Sequence, residues 1–102
     1  MDVTVTDNPE RRRYEANADG QLVAIAEYVA TGDSLVFIHT QSCDGFESSG
    51  AASALIRSAL DDVRRRHMSV IAMCPFVKRF IEQNQQEYGD LVHRSRSRFI
   101  HD

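Results

Sequence analysis

The sequence predicts an α+β domain: an antiparallel three-stranded meander, a fourth strand parallel to the third, a central helix after strand three and a shorter C-terminal helix. Three observations carry this. Two tight-turn signals, Asp19-Gly20 and Thr31-Gly32-Asp33, separate three strand-like runs. An apolar stripe at helical spacing fills residues 50–66. A short apolar run, Ser69-Val70-Ile71-Ala72-Met73, follows that helix, and a strand–helix–strand unit normally closes as a right-handed parallel pair.

Residues 1–10 are polar and end in the turn signal Asp7-Asn8-Pro9. Arg13 to Ala18 alternates polar with apolar, the period of a half-buried strand. Asp-Gly at 19–20 suits a type I′ hairpin turn, whose two central residues need positive φ. Leu22 to Ala30 is the second strand, and its Ala24-Ile25-Ala26 stretch is apolar on both faces, as expected inside a sheet. Leu35 to Thr40 is the third, with residues 41–49 as a connecting loop. In the helix, Ala52, Leu55, Ile56, Ala59, Leu60 and Val63 form the stripe, and Asp61–Arg65 and Asp62–Arg66 are i, i+4 pairs with the acid first. Pro75 fits the first position of a second helix, whose apolar face is Phe76, Val77, Phe80 and Ile81. Asn84-Gln85-Gln86 is a break and Glu87 to Val92 a last turn. Residues 1–92 read as one domain and 93–102 as a basic, loose tail.

At 102 residues with 42% hydrophobic and 26% charged content, the chain has room for one core. A net charge of −3 argues against a general nucleic-acid binder. No apolar run approaches a membrane span. Met1 to Asp7 lacks the basic end and apolar block of a secretion signal, so a cytoplasmic setting is expected. Cys43 and Cys74 should then be reduced thiols, and no metal-ligand spacing surrounds them or the four histidines.

The most informative stretch is Phe46-Glu47-Ser48-Ser49-Gly50-Ala51-Ala52-Ser53, small at six of eight positions and opening the long helix. Such a turn leaves the first helical N–H groups unpaired at the positive end of the dipole, which suits an anion. An ordinary helix start with serine caps fits the same residues. Gly50 is not followed by Lys-Ser or Lys-Thr, which disfavours a nucleotide P-loop.

Asp7-Asn8-Pro9-Glu10-Arg11, Ala24-Ile25-Ala26-Glu27-Tyr28, Phe37-Ile38-His39-Thr40, Phe46-Glu47, Cys74-Pro75-Phe76-Val77 and Glu87-Tyr88-Gly89-Asp90-Leu91-Val92, in that order, are distinctive. Together they resemble the minimal, single-domain, YidJ-like branch of the GNAT superfamily of N-acetyltransferases. The resemblance implies a truncated GNAT fold with acetyl-CoA as ligand. The family pattern Q/R-x-x-G-x-G/A, which holds pyrophosphate on backbone amides, falls on Glu47-Ser48-Ser49-Gly50-Ala51-Ala52, with Ser53 following. The strand ending Thr40-Gln41-Ser42 would pair with the pantetheine arm. Three departures stand out. Ser48-Ser49 replaces Gly-Gln or Gly-Arg, Asn84-Gln85-Gln86-Glu87-Tyr88 is one residue longer than the related segment, and Phe80 stands where a tyrosine is common.

Under that resemblance, Cys74 and His39 are the candidates for chemistry. Cys74 ends strand four directly before a helix, a setting that lowers a thiol's pKa. It is either a nucleophile or thioester contact, or a buried cysteine acting as a small hydrophobe. His39 is either a proton shuttle or a hydrogen-bonded edge histidine. Glu27 interrupts an apolar strand and reads as an amine ligand, a base or a plain sheet carboxylate. Tyr88 reads as a packing residue. The expected activity is acetyl transfer from the thioester to an amine, with the acceptor unknown. A protein or peptide amine is favoured, because the helices with which larger relatives enclose small acceptors are absent. The competing readings are a non-catalytic acetyl-CoA sensor or regulatory module, and an interaction domain with no ligand.

Overall fold

The computed structural model describes residues 2–100, with side chains through Val92. Five strands form one sheet in sequence order: β1 (Thr4–Asn8), β2 (Arg13–Ala18), β3 (Gln21–Thr31), β4 (Ser34–Ser42) and β5 (Ser69–Ala72). The first four are antiparallel and β5 runs parallel to β4. The long helix α1 (Ala51–Arg65) makes the crossover, followed after β5 by α2 (Pro75–Gln83) and α3 (Gln85–Ile100).

The meander therefore has four strands rather than three. Thr4–Asn8 is an edge strand whose Val5 lies opposite Ala16 and packs, with Val3, against the core. Its polar Thr and Asp residues suit a sheet edge, and Pro9 opens a single 3-10 turn into β2. The hairpin at 19–20 has the positive φ values its turn type demands, 52° at Asp19 and 78° at Gly20. The final segment is a full helix rather than one turn, because Gln85 onward resumes helical geometry after the break at Asn84. The basic tail expected from His93 concerns side chains that lie outside the described residues.

The core lies between α1 and one sheet face. Tyr14, Tyr28 and Phe37 stack there, with ring centroids 5.5 to 6.3 Å apart. They meet Leu55, Ile56, Ala59, Leu60 and Val63 from α1, all fully buried. Ala51 is buried and Ala52 half-buried, so the stripe begins one residue earlier than its period suggests. Tyr88 packs against Phe80 with centroids 6.0 Å apart. Arg57 lies over both rings, and its guanidinium also bonds Glu87. Arg64 bonds Asp90, tying α3 alongside α1. Asp62 pairs with Arg66 as expected and also with Arg65, whereas Asp61 accepts from Tyr88 at 2.8 Å in place of the expected Arg65 pair. On the opposite sheet face, Arg13, Glu15, Ile25, Glu27, Val36 and Ile71 are half-buried and Val29, Ile38, His39 and Gln41 are exposed, and none of the helix contacts among the described residues lies there.

Candidate functional site

A fork in the sheet positions the site. β4 and β5 pair from Ser34↔Ser69 to Phe37↔Ala72. The carbonyl of Phe37 then accepts two amides, Met73 at 3.0 Å and Cys74 at 2.9 Å, and the chain turns away at Pro75. Proline has no N–H to continue the ladder, and it is preset for the first turn of α2. β4 continues to Ser42 with β3 as its only strand neighbour among the described residues. The edge from Ile38 to Ser42 is thus open, roughly 13 Å of unpaired backbone at ~3.3 Å per residue.

A bulge shapes this edge. Tyr28 faces Phe37 and Glu27 faces His39, leaving Ile38 as an extra residue. Phe37 stays buried on the helix side while Ile38 and His39 are exposed on the other. Thr40 returns to the helix side, where the Cys74 thiol donates to its Oγ1 at 3.4 Å.

Beyond Ser42 the chain makes tight turns to α1. Phe46 N–H donates to the Cys43 carbonyl, and the Ser49 N–H and hydroxyl both donate to the Phe46 carbonyl. Gly50 takes φ +84°, a conformation that costs an L-residue with a Cβ. A Cβ there would meet nothing within 4 Å. The Ser49 hydroxyl accepts the Ala51 amide at 3.2 Å, a partial serine cap. The amides of Ala52 and Ser53 have no hydrogen-bond partner among the described residues. Two free donors and the positive dipole end of a 15-residue helix remain for an anion. Glu47 acts against this in part: its carboxylate accepts from the Gly45 amide at 3.1 Å and adds a negative charge beside the turn.

The structure thus brings Cys74 and Thr40 into contact and leads the open edge at Thr40, Gln41 and Ser42 toward the turn at Glu47 to Ser53. It does not bring His39 to Cys74. His39 lies on the other face, with Nε2 3.1 Å from Gln41 Oε1, a hydrogen bond in the tautomer that protonates Nε2. The bulge has no signal in the near-continuous apolar run Leu35 to Ile38. A groove of about 460 Å³ between α1 and α3 is lined by Asp61, Arg64 and Tyr88. Those groups are committed to holding the helices together, and the groove lies away from the fork. Tyr88 has its phenol pKa pushed up to about 12 by burial and by the Asp61 hydrogen bond. No cluster of three or more metal-binding side chains occurs among the described residues. No helix among them is long and apolar enough to cross a membrane.

The model of the GCN5-related N-acetyltransferase family matches residues 13–91, from β2 into α3. The chain belongs to that family. It is accordingly a GNAT-type N-acetyltransferase by descent, with the α+β fold of that family. A GCN5-like protein from Staphylococcus aureus, solved by NMR, superposes with a TM-score of 0.64 at 18% identity, covering 86% of this chain and 85% of the other. The ribosomal-protein-S18-alanine N-acetyltransferase of Escherichia coli gives 0.61 at 14% identity over 76% of this chain. This chain spans 54% of that enzyme's length. At these identities the likeness concerns the fold. Among proteins of curated function, none matches this sequence.

Proposed function

We propose that this protein, a minimal GNAT of the YidJ-like kind, binds acetyl-CoA along the open edge of β4 and transfers the acetyl group to an amine. The observation that carries the reading is the continuity of two unsatisfied backbone surfaces. The free edge at residues 38–42 leads, through one tight turn, to the free amides of Ala52 and Ser53. A ligand with an amide-bearing arm and a diphosphate would satisfy both. Thr40, Gln41 and Ser42 would pair with the arm, and the backbone of Ser48 to Ser53 would hold the diphosphate, with Glu47 flanking it.

The thioester would then lie at the fork, beside Cys74. In the reaction the amine nitrogen forms a bond to the acetyl carbon as the carbon–sulfur bond breaks, and coenzyme A leaves as thiolate. The amine's proton must go to a base or to water. His39 could take that role only from the face opposite α1, whereas Cys74 meets the thioester from the helix side. If Cys74 is acylated first, its thiolate displaces the thiolate of coenzyme A, and the amine attacks the resulting Cys74 thioester.

Incubation with acetyl-CoA followed by intact-mass and peptide mass spectrometry tests this. An acetyl group on Cys74, or coenzyme A release that depends on added amine, is the expected result. Binding with neither product supports the sensor reading, which the departures at Ser48-Ser49 and Phe80 favour. The absence of binding by calorimetry removes both readings.

A further inference from the structure

Of the 12 lysine and arginine residues in the sequence, all but one are arginine. The exception is Lys78, which carries the sequence's only side-chain primary amine. The two cations differ in a way that matters beside a thioester. A lysine amine can shed its proton and accept an acetyl group, whereas a guanidinium stays charged and does not.

The second helix places that amine next to the thiol. Cys74 is the N-cap of α2, and its carbonyl accepts the Lys78 amide at 3.0 Å. Residues four apart on a helix lie about 40° apart around the axis, with Cβ atoms roughly 5–6 Å apart. Helical side chains lean toward the N-terminus, so Lys78 leans back over the turn that Cys74 begins. The inward face of α2 is Val77, Phe80 and Ile81. Lys78 flanks that face on the side of Cys74, and Phe76 flanks it on the other. The Cys74 thiol reaches Thr40 on β4, so the flank it shares with Lys78 borders the open edge. Cys74 is 4% exposed, whereas Lys78 is exposed and its side chain makes no hydrogen bond or ion pair among the described residues. A free amine therefore stands at the surface one helical turn from the thiol.

We propose that Lys78 is a self-modification site: an acetyl group held as a thioester on Cys74 passes to Lys78 Nζ of the same molecule. This rests on the acyl-transfer reading above, in its branch through Cys74. The neutral amine attacks the acetyl carbon; a nitrogen–carbon bond forms and the carbon–Sγ bond breaks. Cys74 leaves as thiolate and takes up the proton that the nitrogen gives up. The products are an acetyl amide on Lys78 and a free Cys74 thiol. The step removes the one lysine charge from the rim of the fork.

Mass spectrometry of wild-type protein, Lys78→Arg and Cys74→Ala tests this, after incubation with acetyl-CoA and, separately, with S-acetyl-N-acetylcysteamine, a small thioester that needs no diphosphate site. Isotopically labelled Cys74→Ala mixed with unlabelled wild type separates transfer within one molecule from transfer between two. The acetyl group is expected on Lys78 of wild type and on Cys74 of Lys78→Arg, which should still pass it to an added amine. Cys74→Ala should acetylate Lys78 at least about a hundredfold more slowly, a conservative figure for losing an intramolecular donor. The labelled chain should stay unmodified in the mixture. Lys78 unmodified by both donors overturns the proposal, as do equal rates in wild type and Cys74→Ala or equal modification of both chains in the mixture. Calorimetry with acetyl-CoA keeps the two readings apart. Coenzyme binding with Lys78 unmodified sinks the self-modification alone. Modification by the small thioester without coenzyme binding sinks the coenzyme reading and leaves the step from Cys74 to Lys78 standing.

Discussion

Tyr14 shows how one side chain can serve two layers. Its ring is 2% exposed within the aromatic stack, and its hydroxyl donates to Asp62 on α1 at 2.6 Å. Tyr28 does the same for Asp7, and Arg66 bridges Asp7 and Asp62. These contacts staple the edge strand to the C-terminal end of α1. Tyr14→Phe keeps the ring and removes one charge-assisted donor. It should cost about 1–2 kcal/mol, with Asp62 still partnered by two arginines. A urea titration should show a lower midpoint with unchanged slope. No change in midpoint would mean that the hydroxyl bond contributes nothing net. The residue types of this staple are plain in the sequence, but its pairings are not. Asp7 and Arg66 are 59 positions apart, and no local pattern connects them.

At the scale of elements, the turn into α1 and the fork carry the proposed binding path. Gly50 is the turn's most constrained residue. Gly50→Ala places a Cβ in free space but at φ +84°, so its penalty is one of backbone conformation, roughly 1–2 kcal/mol. The variant should fold with a lowered thermal midpoint. It should also bind acetyl-CoA more weakly, because the amides of Ala52 and Ser53 would shift with the turn; unchanged affinity by calorimetry would remove Gly50 from the binding account. The helix, its apolar stripe and Pro75 at the start of α2 were all readable from periodicity and proline chemistry. Two elements were not. β1 is a strand of mainly polar residues, stabilised by pairing with β2 more than by its own composition. The bulge at Ile38 sits in a run so uniformly apolar that period-2 reasoning cannot detect one extra residue. It nevertheless determines that Thr40, rather than His39, meets the Cys74 thiol.

The whole molecule has a distinctive alkaline behaviour. All three tyrosines have phenol pKa values raised in the fold, each chiefly by burial and then by a carboxylate partner: Asp62 for Tyr14, Asp7 for Tyr28 and Asp61 for Tyr88. The folded state therefore holds these protons more tightly than the unfolded chain. That stabilisation is complete below about pH 10, the ordinary phenol value, and is lost as pH rises beyond it. Phenolate absorbance should thus rise together with loss of the circular-dichroism signal, rather than before it. A phenolate titrating near pH 10 in folded protein would contradict the three buried contacts. The fold class could be read from the sequence because turns, periodicity and the strand–helix–strand order agree with one another. The candidate site was legible only as small residues and one cysteine, because its donors belong to backbone, on the edge that β5 leaves open and at the start of α1.

The most direct test is to titrate acetyl-CoA into the labelled protein and follow its backbone amides. The signals of Ile38 to Ser42 and those of Ala52 and Ser53 should move together, with one affinity. Saturating coenzyme that leaves these amides unmoved, or that moves only the groove between α1 and α3, would contradict a binding path from the fork to the start of α1.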